Sequence, residues 1–312
     1  MSMLLAMFPG QGSHYVGMGR ALLDNFPYLS PLFEEAEDFS KLCIRKLCFE
    51  GPEPVLTLTE NTQPCILTIS MAYWKVLVAE AGLKAEFFAG HSLGEYTALV
   101  ASGRLLFSEA VSLVHARGKY MQQAISPDAG QMIAVIGCDS DEVDRLCKES
   151  STENSIVEVA NYNSRKQVVI SGHKAAVASV AGRLSDKKVR LVPLQVSAPF
   201  HCKLMHPVCE KMRPLIEAVH WEPGTGAMIE NVSGKIVKDY SCEALINQID
   251  HSVRWAQSMD VAYESGVNAM LDLGPGRVLW GLARKSLPRS VSLYHTDDIF
   301  KLIEEVKDLG SN

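Results

Sequence analysis

Five residues, Gly90-His91-Ser92-Leu93-Gly94, limit the folds open to this chain more than any other stretch. They follow the apolar run Phe87-Phe88-Ala89 and precede Glu95-Tyr96-Thr97-Ala98-Leu99-Val100, so a G-x-S-x-G pattern lies between a short strand and a helix. A serine on so sharp a bend sits near backbone strain, and its flanking positions must lack a Cβ that would collide. Its hydroxyl then projects above the sheet. The N-terminus of the following helix aims free N–H groups at any negative charge that develops there. An unactivated serine hydroxyl is a weak nucleophile, and this setting supplies the missing help. The pattern therefore asks for an α/β fold and points to covalent acyl chemistry.

The rest of the chain is compatible with that demand. Its 312 residues suffice for one large α/β unit with a smaller one. A net charge of −6 argues against general nucleic-acid binding while leaving room for a local basic patch. The apolar runs read as too short for a membrane span, which needs about 20 residues. The start, Met1-Ser2-Met3-Leu4-Leu5-Ala6-Met7-Phe8, has no basic leader region and reads as a first core strand. The eight cysteines include no C-x-x-C, and several sit in apolar stretches. They are expected to be free thiols in a reducing cytoplasm, and the absence of Cys/His clusters with ligand spacing argues against a zinc site. Cys202 adjoins His201 but, as a sequence neighbour, points elsewhere.

Organisation follows from periodicity. Strand Leu4–Phe8 runs into the turn Pro9-Gly10-Gln11-Gly12-Ser13. Helices are expected over 15–24, 28–40 and 63–81, the last opened by Thr62-Gln63-Pro64. Another begins with Ser108 as N-cap and runs to about Gln123. From about residue 130 the order becomes β-α-β-β-α-β, that of a ferredoxin-like unit. Helices at 207–219, 241–250, 277–287 and 297–308 then alternate with strands at 227–232, 268–273 and 290–295. The expectation is a large, hydrolase-like α/β domain with a mainly parallel sheet (1–127 and 199–312). A ferredoxin-like small domain (128–198) is inserted in it.

Two side chains stand out besides Ser92. Ala110, Val114, Arg117 and Met121 share one helix face, so an arginine rides an apolar stripe. A guanidinium stays charged and is costly to bury unpaired, so it should meet an anion. That anion is either an internal carboxylate, with Glu95 a candidate, or a carboxylate of the substrate. His201, in a loop after the last strand of the small unit, is placed to serve Ser92 as base, but spacing alone leaves His91 and His295 open. Gln11 offers a main-chain N–H after the first strand. Asn161-Tyr162-Asn163-Ser164 and Gln248 are polar residues near element ends.

Taken together, Phe8–Ser13, Asn61–Pro64, Gly90–Tyr96, Arg117-Gly118, Asn161–Ser164 with Gln167–Gly172, Val196–His201, Val253-Arg254-Trp255 and Leu273–Gly276 resemble the malonyl-CoA:acyl-carrier-protein transacylases and the related acyltransferases of polyketide synthases. The likeness spans essentially the whole chain. It implies that Ser92 is acylated, that His201 and not His295 activates it, and that Gln248 supplies a carbonyl to orient the imidazole. It implies that Arg117 grips the malonyl carboxylate and that the N–H groups of Gln11 and Leu93 form the oxyanion hole. Gln63, His91, Asn161, Phe200 and Gln248 are then expected around the substrate. The resemblance further implies a ping-pong cycle with malonyl-CoA as donor, no bound cofactor, and a phosphopantetheinylated acyl carrier protein as partner. Such carriers are usually acidic, which makes Lys187, Lys188, Arg190, Arg284, Lys285 and Arg289 docking candidates. Two departures matter. Asp250-His251-Ser252 stands where the family has a proline before Val-x-Trp, and a bulky Phe200 before His201 favours malonyl over α-branched units. Fatty-acid synthesis is the leading setting. A discrete loader of a polyketide synthase, a hydrolase clearing stalled carriers, and an idle carrier-binding scaffold are the alternatives. Retained Arg117 argues against the hydrolase, and intact Ser92 and His201 against the scaffold.

Overall fold

The computed structural model describes residues 3–126, 128–185 and 187–310. The chain opens with β1 (Leu4–Phe8), α1 (Arg20–Asn25), α2 (Ser30–Ser40), α3 (Ile44–Glu50), α4 (Glu53–Leu56) and α5 (Thr59–Ala81). β2 (Phe87–Gly90), α6 (Leu93–Ala101) and α7 (Phe107–Gln122) follow. Next come β3 (Gly130–Ile136), α8 (Ser140–Ser150), β4 (Val157–Ser164), β5 (Gln167–His173), α9 (Lys174–Leu184) and β6 (Arg190–Pro193). The last part holds α10 (His206–Ala218), β7 (Ala227–Ile229), β8 (Ile236–Val237), α11 (Cys242–Asn247), α12 (Trp255–Glu264), β9 (Ala269–Asp272), α13 (Val278–Ser286), β10 (Ser292–His295) and α14 (Ile299–Gly310).

The first sheet has the order β10-β9-β1-β2-β7-β8, parallel except for β8, which runs antiparallel to β7. All five residues of β1 are buried, as expected of a parallel strand covered on both faces. Leu4, Ala6 and Phe8 point into a core built with α5, α6 and α7, whereas Leu5 and Met7 point to the opposite face, against Trp255, Met259 and Leu279. The second sheet is antiparallel, in the order β4-β5-β3-β6, which is the ferredoxin-like arrangement. One face carries α8 and α9 over Val135, Val159, Val168 and Ile170. The other face, with Met132, Ala134, Ala160 and Val169, joins the large core. The small sheet is tied to the segment that leads into α12, where Val253 N donates to Ala160 O (2.8 Å) and Tyr162 N donates to Val253 O (2.9 Å).

Several local expectations are corrected. Helix α5 starts at Thr59, so Pro64 lies inside it and Thr62 is not its N-cap. The carbonyl of Glu60, which a proline four residues on cannot engage, lies 3.0 Å from His115 Nδ1. α7 starts at Phe107, ahead of Ser108, with Leu106 at the N-cap. β4 continues through Asn161–Ser164, which sequence placed at a strand end. By length and composition α5 alone among the described helices suffices to cross a membrane (mean hydropathy 1.2), but 67% of its apolar window is buried within the protein. It is the central core helix.

Candidate active site

The bend after β2 is built by glycines whose hydrogens face backbone. A Cβ on Gly90 would lie 1.9 Å from the carbonyl of Gly94, and one on Gly94 would lie 1.9 Å from Phe8 O. Ser92 between them has φ 54° and ψ −108°, a region L-residues rarely occupy. Asn231, buried just beyond β7, holds it there. Its Oδ1 accepts from Ser92 N (2.7 Å), its Nδ2 donates to Gly90 O (2.6 Å), and its own N–H donates to Glu95 Oε1 (2.9 Å). Sequence reading missed this clamp. The signal present was a buried-type polar residue at the end of the expected 227–232 strand.

Ser92 Oγ lies 2.6 Å from His201 Nε2, across 109 residues of chain. His201 Nδ1 lies 2.8 Å from the main-chain carbonyl of Gln248. A carbonyl only accepts, so Nδ1 carries the hydrogen and Nε2 is free to take the serine proton. The orienting carbonyl is therefore the backbone one. Burial first, and the Arg117 charge second, push the His201 imidazole down to about 3, keeping it neutral and basic in form. His201 itself has φ 57°, a second strained residue at the same site.

Arg117 is 1% exposed. Its Nη1 donates to Gln63 Oε1 (2.9 Å), and its Nη2 to Gln248 Oε1 (2.8 Å) and Ser92 Oγ (3.1 Å). Its guanidinium carbon sits 5.5 Å from the Tyr96 ring centroid. Among the described residues no carboxylate pairs with it, and its Nε has no partner. Glu95 is reached only through Gln248, whose Nε2 donates to Glu95 Oε2 (2.8 Å) and to Ser92 O (2.7 Å). Burial pushes the Glu95 carboxyl up to about 7, which further weakens it as a counter-charge.

These groups surround a cavity of about 90 Å³ lined by Gln11, Gln63, His91, Ser92, Leu93, Arg117, Asn161, Phe200 and His201, with Met121, Met132, Leu194 and Val196 as apolar wall. Gln248 stands behind Arg117 and does not line it. Leu93 opens α6, and among the described residues the N–H groups of Leu93 and Gln11 have no acceptor within the protein. His91 Nε2 lies 2.8 Å from Asn163 Oδ1, and its ring packs on Trp255 at 5.6 Å. Two shifts in register along β4 and β5 turn Asn161 and Asn163 toward this side. The departure at 250–252 is absorbed by β4, since Ser252 Oγ donates to Val159 O (2.5 Å).

Other expected residues lie elsewhere. His295 packs on Trp280 beside Asp297 and does not line the cavity. Cys202 Sγ donates to Pro199 O (3.1 Å), and burial pushes that thiol up to about 11. Lys187 pairs with Glu142. Lys285 borders a separate cleft of about 600 Å³ with Arg165 and Lys166, near Gly137. The Lys188 carbonyl and the β6 residue Arg190 abut the same end of β3.

The family model for the acyl transferase domain matches residues 6–299. The malonyl CoA-acyl carrier protein transacylase of Bacillus subtilis strain 168 is 36% identical over the full length of both chains. The crystal structure of FabD from Acinetobacter baumannii superposes with a TM-score of 0.94 at 36% identity, covering 100% of this chain and 99% of that one. A malonyl-transacylase solved in complex with a type II polyketide-synthase acyl-carrier protein gives a TM-score of 0.92 at 38% identity, covering 97% of this chain and all of that one.

Proposed function

This chain belongs to the acyl transferase family, and from that premise we propose that it carries a malonyl group from malonyl-CoA, through an ester on Ser92, to the phosphopantetheine thiol of an acyl carrier protein. The observation that carries the reading is Arg117: a buried, permanent cation with only neutral side-chain partners, facing the same small cavity as a serine–histidine pair.

In this reading the malonyl carboxylate enters the cavity and takes a two-point contact with Arg117, supplying the counter-charge that the protein lacks. Arg117 Nη2 then leaves Ser92 Oγ for the carboxylate. The Ser92 proton passes to His201 Nε2 as Oγ attacks the thioester carbon. Negative charge collects on the former carbonyl oxygen, where the N–H groups of Gln11 and Leu93 receive it. The C–S bond breaks, and coenzyme A leaves with the proton from His201. The carrier thiol gives its proton to His201, attacks the ester, and Ser92 recovers the proton as the new thioester forms. These steps are written with the two thiol carriers, the acyl group and this chain's own side chains and main-chain N–H groups. We take residues 128–198 as a small domain and 1–127 with 199–312 as the large one, the cavity lying at their seam. The basic cleft around Arg165, Lys166, Lys188, Arg190 and Lys285 is the face assigned to the acidic carrier, with Arg284 and Arg289 beside it in sequence. A reducing cytoplasm suits eight unpaired cysteines.

The test is to incubate the enzyme with malonyl-, methylmalonyl- and acetyl-CoA, weigh the intact protein, and then add carrier protein. A malonyl adduct that discharges onto the carrier thiol is expected. Absence of an adduct, or equal labelling by acetyl-CoA, would refute the assignment. A second reading keeps the chemistry and makes the partner a polyketide-synthase carrier, as in the complex of the 38% identical relative. Comparing transfer rates to the two kinds of carrier separates them.

A further inference from the structure

A second cluster of reactive side chains borders a larger cavity, whose lining includes His201 but neither Ser92 nor Arg117. His206 opens α10, and Cys209 follows one turn later on the same face. Asp250, in the loop after α11, meets both. Its Oδ2 lies 2.9 Å from His206 Nδ1, and the nitrogen, sulfur and carboxylate oxygen all fall within 4.8 Å of one another. Asp250 Oδ1 is braced 2.6 Å from His251 Nδ1, which also lies 2.9 Å from Asn247 O. Cys209 is buried, its Sγ donating weakly to Ile246 O (3.5 Å), whereas the His206 side chain is 68% exposed and free to adjust.

We propose that His206, Cys209 and Asp250 bind one zinc ion. One imidazole nitrogen, one thiolate and one carboxylate oxygen make a mixed donor set that suits a borderline-soft divalent cation over magnesium or calcium. Zinc bonds of about 2.0–2.3 Å in a tetrahedron put the donors roughly 3.3–3.8 Å apart. The ion takes the place of the hydrogen shared by His206 and Asp250, which passes through solvent to His206 Nε2 so that the imidazole stays neutral, and the Cys209 thiol releases its proton to solvent as the sulfur–zinc bond forms. The brace from His251 is the outer contact that fixes a metal-binding carboxylate. The three donors border a solvent-open cavity of about 810 Å³, which gives the ion a route in and leaves the fourth position to water. Sequence spacing hid the site, because its third donor comes from 41 residues beyond Cys209.

The experiment uses the whole protein, stripped with a chelator and kept reduced with a phosphine, and titrated with zinc alone against a colorimetric competitor and with cobalt(II) alone by absorbance. One equivalent of zinc is expected, with a sulfur-to-cobalt charge-transfer band. Cys209→Ser should abolish that band, and His206→Ala should weaken zinc binding at least tenfold. His206 is exposed and outside the catalytic set, so H206A should still take a malonyl adduct on Ser92, showing that it is folded. Failure to take up one equivalent, or unchanged zinc affinity in H206A, would overturn the proposal.

Discussion

Two buried arginines in this molecule solve the same problem in opposite ways. Arg104, 2% exposed, is held by main chain: Nη1 donates to Thr225 O (2.8 Å), and Nη2 to Gly226 O (2.8 Å) and Lys238 O (2.9 Å). Arg117, 1% exposed, is held by the side-chain oxygens of Gln63, Gln248 and Ser92. Backbone carbonyls fixed in a sheet edge and its loops cannot move aside, so the first guanidinium acts as a rivet between segments. Amide side chains and a hydroxyl can yield a donor without unfolding anything, and Arg117 borders a cavity. The lesson is that burial of a charge does not announce a binding site. Both guanidiniums have three neutral acceptors, so what distinguishes the binding site is that its acceptors are exchangeable side chains at the edge of a cavity.

The largest test of this contrast removes the nucleophile. Ser92→Ala should lower transfer by about 10⁴-fold or more, since loss of a nucleophile forfeits the covalent route. No malonyl adduct should appear by intact mass, and an adduct persisting in the variant would move the chemistry off this site. Next comes the receptor arginine. Arg117→Ala should lower kcat/KM for malonyl-CoA by roughly 10²–10³, the worth of a desolvated charge pair, and cost acetyl-CoA less than about tenfold. Equal losses for both donors would reclassify Arg117 as a second rivet. Arg104→Met should reverse the pattern. It strands three carbonyls, so stability should fall by roughly 2–4 kcal/mol in urea unfolding, while the folded fraction keeps its preference for malonyl over acetyl. A change in acyl preference would erase the distinction.

How much of this was legible beforehand depends on the range of the interactions. The strand–bend–helix around Ser92 was readable because its causes are local: apolar β2, glycines at 90 and 94, and a helix-forming run after them. The apolar stripe of α7 exposed Arg117 as anomalous, and Ala110, Val114 and Met121 are indeed buried beside it. The partners were not readable. Periodicity left an internal carboxylate such as Glu95 and a substrate carboxylate equally open as the partner of Arg117; Gln248 stands between Arg117 and Glu95, and residue spacing carries no information on which of two polar groups is interposed. The choice of His201 needed the resemblance, since its contact spans 109 residues. Asn231 and the His91–Asn163 pair went unseen for the same reason. The short helices α3 and α4 and the helix α12 were overlooked, the first two being too brief to show a period.

The smallest effect is the most diagnostic, because it asks whether Arg117 acts on the base as well as on the substrate. His201 works only when neutral, that is, at pH above its own pKa. Burial and the nearby Arg117 charge both lower that pKa, to about 3. With acetyl-CoA, which has no free carboxylate of its own to titrate, kcat/KM in the wild type should therefore show no His201 limb down to about pH 5. Removing the charge in Arg117→Ala deletes the second-largest cause, which stands behind burial and ahead of His91. The pKa rises, and the acid limb of acetyl transfer moves to higher pH. Arg117→Lys restores the charge and should return the limb toward the wild-type position even if it grips malonyl poorly. The equivalent change at Arg104 should leave the profile where it was. A limb that stays put in Arg117→Ala would mean that burial alone sets the imidazole, and that the guanidinium senses the substrate without touching the proton transfer.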